Sequence, residues 1–287
     1  MSRLEEITEQ AGYALYAGSP AEFITSRMTD LARIREFLIS IREEGVQRRL
    51  RRVFAKNAGF IAIRIIDVAD QAEALEWLGV AYRAAHRADD STVKSWVAGY
   101  VGTVCACYSR SFKTGLEAAR MAQSAGTRHP SAAAVLGHLA EAGVQARMGQ
   151  NRAAMEAIHN ADQMFSSLPE AETAADGYHV TEYFLRWHQS NALTALGRHA
   201  EADVLRTRAL ELPFSRQDRV GQELLHLDAA ASKIEEGEVD LGRELAAAVW
   251  DRLPSEYRIG WLPRRVSQIL GSIKPVESLS VGCVRLP

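Results

Sequence analysis

The sequence predicts an all-α fold, a right-handed α-solenoid of antiparallel helix pairs. Three observations carry this. A spacing rule recurs with a period of about 40 residues, the mark of a helical array. Long segments without Pro, suited to first helices, alternate with shorter ones closed by Gly or Pro, suited to second helices. No stretch shows the sustained period-two alternation that a sheet requires.

The rule starts from Gly149, with Ala154 at +5 and Ala161 at +12. Gly197 repeats it with Ala202 and Ala209, and Gly237 with Gly242 and Val249. Arg110 holds the marker position before Gly115 and Ala122, and Ala69 holds it before Ala74 and Ala81. A marker is read as the tight turn between two helices, where a small residue lets the chain reverse. The +5 and +12 residues lie two turns apart on one face of the second helix. Helix axes approach to roughly 8–10 Å only where contact residues are small. All these contact positions are Ala or Gly except Val249.

Each element follows in order. Helices are expected near 2–16, 20–41 and 45–67, then pairs turning at Ala69, Arg110, Gly149, Gly197 and Gly237. "STVKSWVAGYVGTVCACYSR", "PSAAAVLGHLAEAGVQARMG" and "DGYHVTEYFLRWHQSNALTALG" read as first helices. "SFKTGLEAARMAQSAG" and "RHAEADVLRTRALELP" read as second helices. The longest interval holds "SSLPEAETAADG", with Glu170, Glu172 and Asp176, read as a solvated connector rather than a partner-contacting loop. "EYRIGWLPRRVSQILGSIKP" reads as a capping helix before a tail. The organisation is therefore N-terminal helices over 1–48, five helix pairs over 49–253, and a cap with tail over 254–287.

The chain has 287 residues, 47% hydrophobic and 24% charged, with a formal net charge of −2. That balance argues against wholesale nucleic-acid binding, which favours a basic surface. Cys105, Cys107 and Cys283 form no disulfide framework and fit a reducing cytoplasm. Cys105 and Cys107, two apart on a helix, point to nearly opposite sides. The N-terminus lacks the apolar segment of a signal peptide, and no apolar run is long enough to span a bilayer.

No phosphate-binding Gly loop, G-x-S-x-G, H-E-x-x-H or paired C-x-x-C occurs, so no catalytic residue, metal ligand or cofactor is expected. His179 and Glu182 form the nearest metal-like pair, but a structural zinc normally takes four ligands. They read as a surface His near a carboxylate. "QRRLRRVFAK" gathers Arg48, Arg49, Arg51, Arg52 and Lys56. It reads as a solvated face neutralised in part by Glu43 and Glu44, with Leu50, Val53 and Phe54 turned to the core.

Along the first helices, one stripe is largely apolar: in turn Lys56, Gly59, Ile63 and Ile66; Val97, Tyr100, Val104 and Cys107; Leu136, Leu139, Gly143 and Ala146; Phe184, Trp187, Asn191 and Thr194; and Leu224, Leu227, Ala231 and Ile234. Its neighbour is polar, with His138, Glu141, Gln145, Arg186, Gln189, His226 and Lys233. Burial favours placing the apolar stripe in the core and the polar one toward the groove. The third unit stands apart. "YFLRWHQSN" packs Tyr183, Arg186, Trp187, His188 and Asn191 into one helix, the aromatic, guanidinium and amide mixture of a recognition surface. Tyr183, Trp187 and Asn191 should form one line, with Arg186 and His188 flanking it. These five residues are the candidate ligand- or partner-binding site, against the alternative of a core Trp with exposed polar neighbours.

The Gly, +5, +12 rule resembles the loop and second-helix positions of tetratricopeptide repeats, though the first helices lack a clean Trp-Leu-Gly-Tyr pattern. Almost the whole chain also resembles the C-terminal region of actinobacterial helix-turn-helix regulators of the XRE class. "AEFITSRMTDLARIREFL", "QRRLRRVFAKNAGFIAIRIIDVADQAEALEWLGVAYRAA", "TALGRHAEADVLRTRALEL" and "SRQDRVGQELLHLDAAASKIEEGEVDLGRELA" carry that likeness. In that family a DNA-reading domain precedes this region, whereas here the array follows Met1 directly, so direct DNA binding is not expected. The resemblance implies a non-catalytic regulatory protein that takes a peptide, small-molecule effector or protein partner in a concave groove, with a homodimer as one arrangement. The competing expectation is an enzyme or enzyme-accessory protein on the same scaffold. Perturbed carboxylates or histidines converging in a closed cavity would favour it.

Overall fold

The structure, a computed structural model, describes residues 1–108, 111–127 and 129–271. The protein is all-α, and no strand occurs among the described residues. Three helices come first: α1 (Ser2–Tyr13), α2 (Pro20–Ser40) and α3 (Glu44–Val68). They are followed by α4 (Gln71–Arg87), α5 (Ser91–Cys107), α6 (Phe112–Gln123), α7 (Ala132–Arg147) and α8 (Asn151–Ser166). The chain ends with α9 (Glu182–Ala195), α10 (His199–Glu211), α11 (Arg219–Glu235), α12 (Val239–Arg252) and α13 (Trp261–Leu270). None of these helices is long and apolar enough to cross a membrane.

Consecutive helices pack as α3 on α4, α5 on α6, α7 on α8, α9 on α10 and α11 on α12. The turns fall at Ala69, Gly149, Gly197 and Gly237 as expected; the one expected at Arg110 lies outside the described residues, as do Cys283 and the tail. The three glycines have φ of +72°, +71° and +93°, the left-handed region where a Cβ is costly. After each, the next N–H reaches back five residues: Gln150 to the Gln145 carbonyl (2.9 Å), Arg198 to Leu193 (3.0 Å), Glu238 to Lys233 (2.8 Å). These bonds satisfy carbonyls that the ending helix leaves without partners. The first helices α5, α7, α9 and α11 are instead started by side-chain caps, from Asp90, Ser131, Thr181 and Asp218.

The +5 and +12 residues are the seams of these pairs. Ala74, Ala81, Ala122, Ala154, Ala161, Ala202 and Ala209 have no exposed surface, Val249 has 1%, and Gly115 and Gly242 are buried. A Cβ on Gly242 would lie 2.5 Å from Ile234 Cγ1 and 2.6 Å from the Ala230 carbonyl oxygen.

Two expectations need correction. The connector between α8 and α9 is solvated only in its first part, where Ser167, Pro169, Glu170 and Ala171 are exposed. Val180 is 1% exposed, and the Gly177 carbonyl accepts from Trp96 Nε1 (3.2 Å) and the Tyr100 hydroxyl (3.5 Å) on α5. Lys56 on α3 lies over the Tyr178 ring, 4.2 Å from its centroid. Gly12 of α1 is so close that a Cβ there would fall 2.2 Å from the Asp176 carbonyl oxygen. The acidic residues suggested solvent, but the Gly177–Val180 end supplies the apolar contact.

The polar stripe does not face the interior either. Glu141 accepts from Gln123 on α6 (2.6 Å), Arg186 pairs with Asp162 on α8 (2.7 Å), and the Gln189 amide reaches the Ile158 carbonyl (3.5 Å). The apolar stripe turns inward, and it can do so because other segments cover it. The α1–α2 connection brings Tyr16 onto Phe184, and α13 packs on α3, α11 and α12. The α1–α2 connection meets the segment before α13 where Tyr257 donates to the Gly18 carbonyl (3.4 Å).

Candidate functional site

Helix α9 divides the five candidate residues between its sides. Tyr183 is 1% exposed and its hydroxyl donates to Asp218 Oδ2 (3.3 Å), with Phe184 and Phe214 against its ring. Arg186 points away from the interior. Its guanidinium meets Asp162 (2.7 Å), Gln189 (3.0 Å) and Glu182 (3.5 Å), so it turns away from the line it was expected to flank. Trp187, His188 and Asn191 are brought together at the interior, where two cavities adjoin.

The inner cavity measures about 60 Å³, against the roughly 10–15 Å³ that one water needs. Its walls are largely apolar, with Tyr16, Tyr100, Tyr108, Phe184 and Trp187 among aliphatic side chains, and they include Asp67, His188 and Asp218. Burial pushes Asp67 up to about 7, although Arg64 beside it (2.6 Å) pulls the other way. Burial also raises Asp218, opposed by the Gly221 N–H that it caps (2.9 Å).

The outer cavity, about 210 Å³, lies among α5, α7, α9, α11 and α13. A chain of side chains crosses it. Arg147 Nη2 donates to Asn191 Oδ1 (2.7 Å), and Asn191 Nδ2 donates to Asp228 Oδ2 (3.1 Å). Arg265 on α13 donates to Asp228 Oδ1 (3.1 Å). Trp187 and Trp261 line the same space, with the Trp261 ring edge-on to Tyr108 at 5.0 Å. Tyr108, Trp187 and Leu224 line both cavities.

His188 stacks on Trp187 (centroids 5.2 Å apart), and burial and the Arg147 charge depress its pKa to about 4. Cys107 Sγ lies 3.8 Å from His188 Nδ1, but burial raises its thiol to about 11. At neutral pH this is a thiol beside a neutral imidazole, not the thiolate–imidazolium pair of a nucleophilic site.

A larger cleft, about 550 Å³, opens between α5, the α6–α7 connection and the 168–181 segment. Its polar groups serve local structure: Ser131 caps α7, and Glu172 accepts from the Ala132 N–H (3.0 Å). His179 Nδ1 bonds Asp176 Oδ2 (2.9 Å), which raises the pKa of the imidazole. Glu182, its expected partner, pairs with Arg208 on α10 instead (2.9 Å). Among the described residues no group of His, Cys, Asp and Glu could hold a metal.

In the basic cluster Arg48 pairs with Glu44 (2.5 Å), Arg49 with Glu5 (2.5 Å) and Arg52 with Asp90 (2.5 Å). Leu50, Val53 and Phe54 are buried beneath it.

Sequence reasoning missed Asp67, Tyr108, Arg147, Asp218, Asp228, Trp261 and Arg265. Arg147 stands two residues before a marker and Asp228 lies on a first helix, so the repeat could have offered both. Arg265 and Trp261 sit on α13, outside the repeat, and no signal marks them. No protein-family model, curated protein or solved structure matches the chain.

Proposed function

We propose that this is a non-catalytic, tetratricopeptide-repeat-like binding protein of the cytoplasm, with its helix pairs arranged as a right-handed solenoid over 49–253. It takes a small-molecule effector or a peptide end in the interior site and serves regulation, in transcription as the resemblance to XRE-class regulators implies. The observation that carries this reading is the Arg147–Asn191–Asp228–Arg265 chain around a cavity walled by Trp187 and Trp261. It joins four helices from separate parts of the array, so occupancy there would bias how those helices sit. Aromatic walls with a few placed polar groups are the usual make-up of a ligand pocket. Three of the four arginines of the basic cluster are paired with carboxylates, which supports the reading without direct DNA binding.

The test is a thermal-shift panel of small organic acids, amines and zwitterions, with hits re-measured by native mass spectrometry on the parent and on Arg265→Gln. The expected result is a hit that Arg265→Gln weakens about tenfold or more. A panel without any hit would refute a small-molecule site.

The enzyme reading has one observation in its favour, the convergence of Asp67 and Asp218 on one cavity. Both carboxylates are engaged, Asp67 by Arg64 and Asp218 by Gly221 and Tyr183. The binding reading therefore stands ahead.

A further inference from the structure

The two adjoining cavities are lined by ionisable groups of opposite kind. Asp67 and Asp218 line the inner one, and no Lys or Arg does. Arg64 pairs with Asp67 from behind the wall, while Asp218 forms no ion pair among the described residues. The outer cavity reverses this, with Arg147 and Arg265 against the single carboxylate of Asp228. Tyr108, Trp187 and Leu224 line both, so one molecule threaded past them would meet both fields.

We propose that the ligand is bipolar, with an ammonium in the inner cavity and a carboxylate or similar anion in the outer one. This rests on the binding reading above and deepens it. The inner walls suit an ammonium because ring faces attract a cation, and the tyrosines and Trp187 supply them. Partial burial there weakens the screening of the carboxylates by water. A cavity of about 60 Å³ accepts an ammonium on a methylene or two, but no bulky head. In the outer cavity Asp228 takes one hydrogen bond from Arg265, leaving further guanidinium donors, and Arg147 is likewise only partly used. An anion there completes a site that now holds two guanidiniums and one carboxylate.

The probes are linear ω-amino acids of increasing chain length, each with its N-acetyl and methyl-ester forms, titrated against the full chain. Quenching of tryptophan fluorescence reports binding, since Trp187 and Trp261 both line the path, and thermal shift gives a second readout. The expected result is an optimum at one chain length, because the charged ends of the site are fixed. Blocking either end of that member should cost about tenfold or more in Kd. Arg265→Gln should erase the difference between the acid and its ester, and Asp67→Asn the difference between the amine and its N-acetyl form. Should Asp67→Asn fail to fold, the blocked probes on the parent chain still decide. Blocked forms binding as well as their parent overturn the bipolar assignment and leave the binding reading standing. Silence from the whole series, with hits elsewhere in the wider panel, overturns the assignment likewise. Silence in both overturns the binding reading.

Discussion

The seams between first and second helices and the interior of the array obey different rules. The seams are repetitive: Ala or Gly, with Val249 the one exception, is buried at the same offsets in each pair. The interior is assembled from parts that do not repeat, namely Tyr16, the Gly177–Val180 segment and α13. The Ala and Gly contacts of the seams carry no charge themselves, while the interior holds Asp67, Asp218 and Asp228, the first and last of them paired with guanidiniums. A repeat specifies neighbours, whereas the site is built where single, unrepeated segments close over the array.

The sharpest way to test that contrast is by pH. Asp67 has a folded pKa of about 7 against an ordinary 3.8, so the folded chain keeps a proton that the unfolded chain releases. Its contribution therefore lowers stability as pH rises from about 4 to about 7. His188 works the other way. Its folded pKa of about 4 against 6.5 lowers stability as pH falls through that window. Between pH 4 and 7, the stability of Asp67→Asn relative to the parent should rise with pH by on the order of 2–4 kcal/mol. For His188→Gln the relative stability should instead rise as pH falls, by on the order of 1–3 kcal/mol. Urea titrations across this range decide it, and curves parallel to the parent's for both variants would remove the charged interior from the account.

The seams should respond to volume and not to pH. Ala202→Leu and Ala209→Leu should each cost about 1–3 kcal/mol by overpacking. Val204 lies between them on α10 at 68% exposure, so Val204→Ser should change stability by no more than about 0.5 kcal/mol. Thermal melts of both Ala variants that coincide with the parent's would break the register.

This division explains what was legible beforehand. Turn positions, helix order and seam burial follow from local chemistry at fixed offsets, and a sequence displays such offsets. The site was half legible. Trp187, His188 and Asn191 are where an unusual helix pointed, but their partners Asp67, Arg147, Asp228 and Arg265 come from four other helices. No periodicity links those positions. The polar stripe misled for a related reason, because it is satisfied sideways by second helices instead of by a groove. The acidic connector misled because Glu170 and Glu172 dominated its reading, while Gly177 and Val180 supply its contacts.

The turns offer a smaller effect. Alanine at Gly149, Gly197 or Gly237 meets no neighbour within 4 Å, so only the left-handed backbone resists it, at about 1 kcal/mol each. Gly12→Ala, at ordinary helical φ but against the Asp176 carbonyl, isolates the opposite cause. It should destabilise by more than any single turn variant, and chemical denaturation of the four proteins side by side tests the ranking. A Gly12→Ala as stable as the parent would show that the 168–181 segment yields freely.

The smallest expected effect lies within α9 itself. Arg186 and Asn191 are little more than one turn apart, and both looked like recognition residues in the sequence. Arg186 is held by Asp162 and Glu182 on the side away from the cavities, in ion pairs open enough to solvent to contribute little. Arg186→Ala should therefore lose no more than about 1 kcal/mol of stability and leave ligand affinity unchanged. Asn191→Ala removes the bridge between Arg147 and Asp228, so it should weaken binding of a panel hit while the fold persists. Measuring melting and affinity together on both variants separates a helix with one functional side from one with two. Loss of affinity in Arg186→Ala at unchanged stability would move the site to the outer side of α9. It would also make the polar stripe, and not the interior, the surface that recognises.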